Sequence, residues 1–108
     1  MCELFAISSR LPATVSLSLK TLAEHGGGSV PHADGWGIAY YREDDARLIK
    51  DTSAAHDSDW VRFVQSRGLS STTIISHIRN ATRGGVRLQN THPFARELGG
   101  QMHVFAHN

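Results

Sequence analysis

The fold is decided by the β-branched, mostly apolar stretch TTIISHI at residues 72–78, which the polar segment RNATRGG at 79–85 follows directly. Such a run favours a strand, and its apolar character predicts that the strand is buried. Residues 79–100 contain turn formers and charges with little periodicity. A connection of about 20 residues indicates a functional loop. Beyond it, residues 101–108 predict another strand.

The N-terminal part of the chain predicts a strand followed by a helix. Residues 2–8 have alternating and aliphatic character and are closed by a predicted turn at 9–12. Apolar residues then recur at helical spacing from Pro12 or Thr14 to His25, where three glycines end the pattern.

A hairpin and a second helix are predicted between these two regions. Strands at 35–41 and 47–50 are joined by a short charged turn. Asp57 or Ser58 can cap the following helix, and Gly68 suits the left-handed position just past its end. The order of elements predicts an α+β or mixed α/β domain with about five strands and two helices.

Charge and composition exclude several kinds of partner. Lys and Arg number 11 against 10 Asp and Glu, so the chain lacks the one-signed field that nucleic acid or an anionic membrane surface requires. A hydrophobic fraction of 40% excludes disorder by composition. No apolar run approaches the roughly 18 residues of a membrane span, and residues at the start of the sequence lack the basic stretch and apolar core that are typical of a secretory signal. We therefore expect a cytoplasmic protein.

The single cysteine excludes an internal disulfide and a zinc site built from thiolates of this chain. Cys2 directly follows Met1, so removal of Met1 would place the thiol on the first residue. The free α-amino group, which titrates at about pH 7.7 to 8.0, could then take the thiol proton and produce a nucleophile. The alternative is that Cys2 is a small apolar strand residue.

Three polar residues near predicted strand ends could contact a substrate. The guanidinium of Arg79 could hold a carboxylate through two parallel hydrogen bonds, and Thr82 could add a hydroxyl contact. The side-chain amide of Asn108 could donate to a developing oxyanion. Taken singly, these residues are better explained by solvation at a turn or chain end.

Seven histidines raise the question of a metal site. His103 and His107 share a face whether their segment is a helix or a strand. The His-Glu-x-x-His pattern is absent, and so are acidic partners at ligand spacing. We therefore predict that the histidines have structural roles or support other residues of a site, and we expect neither a metal nor a cofactor.

Five groups of residues occur in order along the chain: MCELFA at 1–6, GGG at 26–28 with PHADGWGI at 31–38, HIRNATRG at 77–84, NTHPF at 90–94 and AHN at 106–108. Together they resemble the class II glutamine amidotransferase family, specifically its YafJ-like branch. Several motifs in the right order are far more specific than any one of them. Two positions depart from the family pattern: Asn80 stands where many relatives have Trp, and residues 31–37 lack an Arg.

The resemblance implies the fold of the N-terminal nucleophile hydrolases, a four-layer αββα sandwich of two packed sheets with helices outside. Residues 1–108 would be the N-terminal portion of a type 2 glutamine amidotransferase domain, truncated at its C-terminal end, so the sandwich would be incomplete. The second oxyanion donor and the Asp that binds the substrate α-amino group would follow Asn108.

The resemblance also implies a reaction. After loss of Met1, Cys2 would attack the side-chain amide of glutamine, release ammonia and leave a γ-glutamyl thioester that water hydrolyses. Arg79 falls at the position that binds the glutamine α-carboxylate, and Thr82 lies where the same loop contacts the substrate. Asn108 falls at the position of the oxyanion-hole Asn.

The expected substrate is therefore glutamine or a γ-glutamyl compound. Two kinds of protein partner remain as alternatives: further copies of the same chain in a homo-oligomer, or a separate protein that accepts the ammonia. One alternative is a hydrolase of γ-glutamyl peptides or amides that uses the same nucleophile. The other is a non-catalytic truncated fragment or interaction module.

Overall fold

The chain forms two antiparallel sheets and one α-helix within the residues that the structure describes. The structure is a computed structural model and describes residues 2–14, 34–55, 58–80 and 83–107. The strands are β1 (Glu3–Thr14), β2 (Trp36–Arg42), β3 (Asp45–Asp51), β4 (Ser70–Ile78), β5 (Phe94–Leu98) and β6 (Gln101–Phe105). Helix α1 covers Asp59–Arg67, and a 3₁₀ turn covers Leu88–Asn90.

The larger sheet has the strand order β1-β4-β2-β3, and each neighbouring pair is antiparallel. One row of partners crosses all four strands: Glu3 pairs with Ile78, Ile78 with Trp36, and Trp36 with Asp51. The start of β1, the end of β4 and the start of β2 therefore lie side by side at one end of the sheet. Strand β4 is one of the two inner strands, which confirms the buried strand predicted at 72–78.

One face of this sheet carries the main core. Alternate residues of a strand point to the same face, and the pairing puts Phe5, Ile38 and Ile49 in one row. Helix α1 packs on this face. The buried members of the core are Trp36, Ile38, Tyr40, Ala55, Val61, Val64, Ile74 and Ile78.

Helix α1 begins and ends as predicted. The Ser58 hydroxyl accepts a hydrogen bond from the Val61 N–H, which makes Ser58 the N-cap, whereas Asp57 lies outside the described residues. Gly68 follows the helix in the left-handed conformation, at φ 61° and ψ 39°. No helix in the described ranges is long and apolar enough to cross a membrane.

The opposite face of the large sheet carries the β5–β6 hairpin. The Tyr41 hydroxyl of β2 donates to the Met102 carbonyl at 2.6 Å. The Lys50 ammonium of β3 donates to the Thr91 carbonyl at 2.9 Å and lies 4.6 Å from the centroid of the Phe94 ring. Two sheets therefore face each other, with α1 on the outer side of the larger one.

The turn predicted at residues 9–12 is wrong. These residues belong to β1, whose pairing with β4 shifts register between Ser8 and Ala13. Because β1 is an edge strand, Pro12 can sit at this irregularity without removing a central ladder hydrogen bond.

The start of the first predicted helix is also wrong. That helix was expected from Pro12 or Thr14 to His25, but β1 continues through Thr14. Residues 15–25 lie outside the described residues.

The long loop predicted at 79–100 contains a strand that the sequence pattern did not indicate. Strand β5 pairs with β6 through a turn at Gly99 and Gly100, which both have positive φ. A Gly-Gly dipeptide is a known hairpin signal, and it lay between the two strands. The FAREL sequence of β5 hid the strand because its last four residues are exposed and two of them are charged. The hairpin predicted at 35–41 and 47–50 is confirmed.

We predict that Gly37→Ala destabilises the protein, because the segment that leads into β5 lies directly against Gly37. A Cβ at this position would overlap the His92 carbonyl oxygen and lie 2.6 Å from Pro93 Cδ. A backbone carbonyl and a proline ring cannot rotate away from the new Cβ as the end of a flexible side chain can. The expected loss is therefore about 1 to 3 kcal/mol in the free energy of unfolding. Denaturant unfolding of the full-length protein measures it. Gly85→Ala is the control, because its Cβ would make only an ordinary contact with Arg87. Equal stability of the two variants would contradict this packing account.

Candidate active site

Cys2 lies immediately before β1, beside the residues that follow β4. Its Sγ accepts a hydrogen bond from the backbone N–H of Asn80 at 3.3 Å, and the thiol lies 3.7 Å from the Asn80 carbonyl oxygen. The thiol is free and half-buried. Both contacts use the main chain of Asn80, so they do not depend on the side chain at that position.

The backbone of Arg79 continues the sheet one residue past β4. Its N–H donates to the Gly35 carbonyl at 2.8 Å, and its own carbonyl accepts from the Asp34 N–H at 3.2 Å. This extra pair ties the segment that contacts Cys2 to the start of β2. The sheet thereby holds the cysteine and the arginine at the same end.

The side chain of Arg79 is 5% exposed and organises the loop that follows. Its guanidinium donates to the Gly85 carbonyl at 2.8 Å and to the Arg83 carbonyl at 3.0 Å. The Asn90 amide donates to the same Gly85 carbonyl at 3.0 Å. These bonds fix the plane of the guanidinium, which is the condition for two-point recognition of a carboxylate.

Three histidines, here called the histidine cluster, contact one another beside the large sheet: His77, His92 and the exposed residue His107. His77 is 1% exposed, and its ring stacks on that of His92 with centroids 4.8 Å apart. Nε2 of His77 lies 3.0 Å from the carbonyl oxygen of His107. The N–H of His107 donates to Nδ1 of His92 at 3.0 Å. Both main-chain groups of His107 are therefore held by imidazoles.

Burial lowers the pKa of two rings of the cluster. Desolvation, followed by the charge of His92, lowers the pKa of His77 to about 4. Desolvation, followed by the charges of His107, Lys50 and Arg79, also lowers the pKa of His92. A neutral imidazole has one N–H donor and one acceptor. A carbonyl oxygen can only accept and a backbone N–H can only donate, so Nε2 of His77 donates to the His107 carbonyl and Nδ1 of His92 accepts from the His107 N–H.

The structure brings together two of the four site residues predicted from sequence. Cys2 and Arg79 meet at one end of the large sheet, whereas Thr82 and Asn108 lie outside the described residues. Asn90 and the histidine cluster were not predicted as parts of this region. All four of these residues lie within the ordered motifs, and that position is the feature of the sequence that indicates them. Within the described ranges, no group of three or more His, Cys, Asp or Glu residues could hold a metal ion.

Comparison with known proteins defines the family. The model for glutamine amidotransferases class II matches residues 1–108. YafJ of Escherichia coli (strain K12), assigned by name to the glutamine amidotransferases, is 43% identical over 108 residues. A second relative so assigned, from Haemophilus influenzae, is 37% identical over 108 residues. The chain belongs to the class II glutamine amidotransferase family.

The chain spans well under half the length of these relatives. It covers 42% of the Escherichia coli protein and 37% of the Haemophilus influenzae protein. A crystal structure of a predicted glutamine amidotransferase from Pseudomonas aeruginosa PA01 superposes with a TM-score of 0.60 at 35% sequence identity. That comparison covers 99% of this chain and 42% of the other. The sheet-rich architecture with one described helix therefore matches a family member.

We predict that the stability of the protein falls as the pH is lowered from about 6.5 to about 4, in part because of His77. The unfolded ring takes up a proton near pH 6.5, whereas the folded ring does so only near pH 4. The unfolded state binds more protons in this window, which costs the folded state at most about 3 kcal/mol. His77→Gln, which cannot titrate, should reduce the pH dependence.

Urea unfolding at about pH 7 and about pH 4.5 measures this difference. His103→Gln is the matched control, because His103 is an exposed residue of β6. An unchanged pH dependence in His77→Gln would show that the buried ring is not responsible.

Proposed function

We propose that this chain forms the glutamine-hydrolysing site of a class II glutamine amidotransferase, with Cys2 as its nucleophile after removal of Met1. The observation that carries the proposal is the Cys2 thiol against the backbone N–H of Asn80, one residue from the fixed guanidinium of Arg79. A nucleophile and a carboxylate-binding group then share one end of the sheet. Family membership supports glutamine as the substrate.

The proposed reaction has two steps. The α-amino group of Cys2 takes the thiol proton, and Sγ forms a bond to the side-chain carbonyl carbon of glutamine. The tetrahedral intermediate collapses as its C–N bond breaks, and the proton passes to the leaving nitrogen to give ammonia. Water then attacks the γ-glutamyl thioester, which yields glutamate and returns the proton to the enzyme.

The other site residues are assigned to substrate binding and to the oxyanion. Arg79 would hold the glutamine α-carboxylate, and Thr82 would contact the substrate from the same loop. The Asn108 side chain would donate to the oxyanion of the tetrahedral intermediate. Loss of one such donor typically lowers kcat about 10²- to 10³-fold.

We also propose that residues 1–108 are the N-terminal portion of a four-layer αββα domain. The two facing sheets would be the inner layers, and α1 would belong to an outer layer. The supporting contacts are the packing of α1 on one face of the large sheet and the Tyr41 and Lys50 hydrogen bonds on the other.

Replacement of Cys2 tests the nucleophile. We predict that Cys2→Ala lowers glutamine hydrolysis by the full-length protein about 10⁴-fold or more, because no sulfur remains to form the thioester. Cys2→Ser keeps a small side chain, a hydroxyl nucleophile and the α-amine, so a large loss in this variant as well would assign the activity to the thiol. Ammonia release measures the rate, and intact mass shows whether Met1 is removed in each variant.

Hydrolysis at the wild-type rate by Cys2→Ala would contradict the proposal, and so would an active protein that retains Met1. Faster turnover of γ-glutamyl peptides than of glutamine would keep the nucleophile and change the substrate.

Replacement of Arg79 tests carboxylate binding. We predict that Arg79→Lys raises the KM for glutamine about 10- to 100-fold, because a point charge replaces the planar two-point donor. Arg83→Lys is the control, because the Arg83 side chain is exposed and its carbonyl remains. The analogue 4-aminobutanamide, which lacks the α-carboxylate, should be hydrolysed equally by wild type and Arg79→Lys. If Arg79→Lys lost activity equally with both substrates, Arg79 would only hold the loop in place and would not bind the α-carboxylate.

A further inference from the structure

We propose that His77 and His92 are positioning residues for the oxyanion donor. They fix both main-chain groups of His107, the residue that precedes Asn108 in the chain. This inference rests on the proposed function, because it assigns the histidines to the orientation of a group that acts in that reaction.

The two hydrogen bonds act on opposite sides of one residue. His77 donates to the His107 carbonyl, and His92 accepts from the His107 N–H, each at 3.0 Å. Rotation about either bond is opposed by the other, so the main chain of His107 is held on both sides. Misplacement of a catalytic group by about 1 Å can lower a rate about 10²-fold.

Both imidazoles are themselves anchored. His77 belongs to β4, between β1 and β2, and pairs with Leu4 and Gly37. His92 stacks on His77, and its carbonyl oxygen and Pro93 lie directly against Gly37. His107 is therefore anchored, through His77 and His92, to the same sheet that holds Cys2 and Arg79.

Packing alone does not explain a histidine at position 77. Its Nδ1 is buried and has no hydrogen-bond partner within the described part of the chain. A buried polar atom without a partner destabilises the folded state, and an apolar side chain of similar size would avoid that cost. The benefit that balances it is the Nε2–H, which the His107 carbonyl requires.

His77 has to donate from Nε2 and His92 has to accept at Nδ1, so the two positions should tolerate opposite amide replacements. A Gln amide places its nitrogen near the position of histidine Nε2, and an Asn amide places its oxygen near that of Nδ1. Gln should therefore replace His77 better than Asn does, whereas Asn should replace His92 better than Gln does. The variants are His77→Gln, His77→Asn, His92→Asn and His92→Gln, made in the full-length protein.

We expect the mismatched variants, His77→Asn and His92→Gln, to lose about 10- to 100-fold in kcat with KM for glutamine little changed. The matched variants should keep most of kcat. A displaced oxyanion donor acts on the transition state and hardly on substrate binding, so the loss belongs in kcat. Circular dichroism and the denaturation midpoint of each variant identify any loss that is due to unfolding.

Equal kcat values for Asn and Gln at both positions, in folded proteins, would overturn the inference. A change confined to KM would overturn it as well. Both results would leave the proposed function intact, provided that wild type hydrolyses glutamine and Cys2→Ala does not. A wild-type protein that releases no ammonia from glutamine would instead contradict the proposed function, and this inference with it.

Discussion

The antiparallel pairing of β1 with β4 is the constraint on which the site depends. Glu3 stands opposite Ile78, so the residues just outside this pair, Cys2 and Arg79, lie at the same end of the sheet. The Asn80 N–H then reaches the sulfur. A shift of one residue would turn the core side chains of β4 to the other face, so burial of the core protects the register of the site.

Strand β4 contributes to both the hydrophobic core and the histidine cluster, because its successive side chains point to opposite faces of the sheet. Ile74 and Ile78 enter the core, while His77 points to the opposite face and joins the histidine cluster. His92 and Pro93, which lead into the β5–β6 hairpin, lie against that face at Gly37. The same strand therefore links the hydrophobic core, the cysteine end of the sheet and the segment that leads to residue 108.

Local patterns predicted the elements whose sequence periodicity was strong, including β4, the β2–β3 hairpin and α1 with its Ser58 cap. They failed for β5, where exposed charges hid the strand, and for 9–12, where only an edge position in the sheet accommodates Pro12. Cys2 and Arg79 could be proposed from position and motif. The histidine cluster could not, because residues 77, 92 and 107 meet only through the packing of the two sheets.

The most direct test of a Cys2-centred glutamine site is covalent labelling by an electrophilic analogue of glutamine. The account predicts one adduct per full-length chain, on the Cys2 sulfur of a protein that has lost Met1. Glutamine should slow its formation, and peptide mass spectrometry locates it. The account would be contradicted if glutamine did not slow the labelling. It would also be contradicted if protein that retains Met1 were labelled as fast as protein that has lost it.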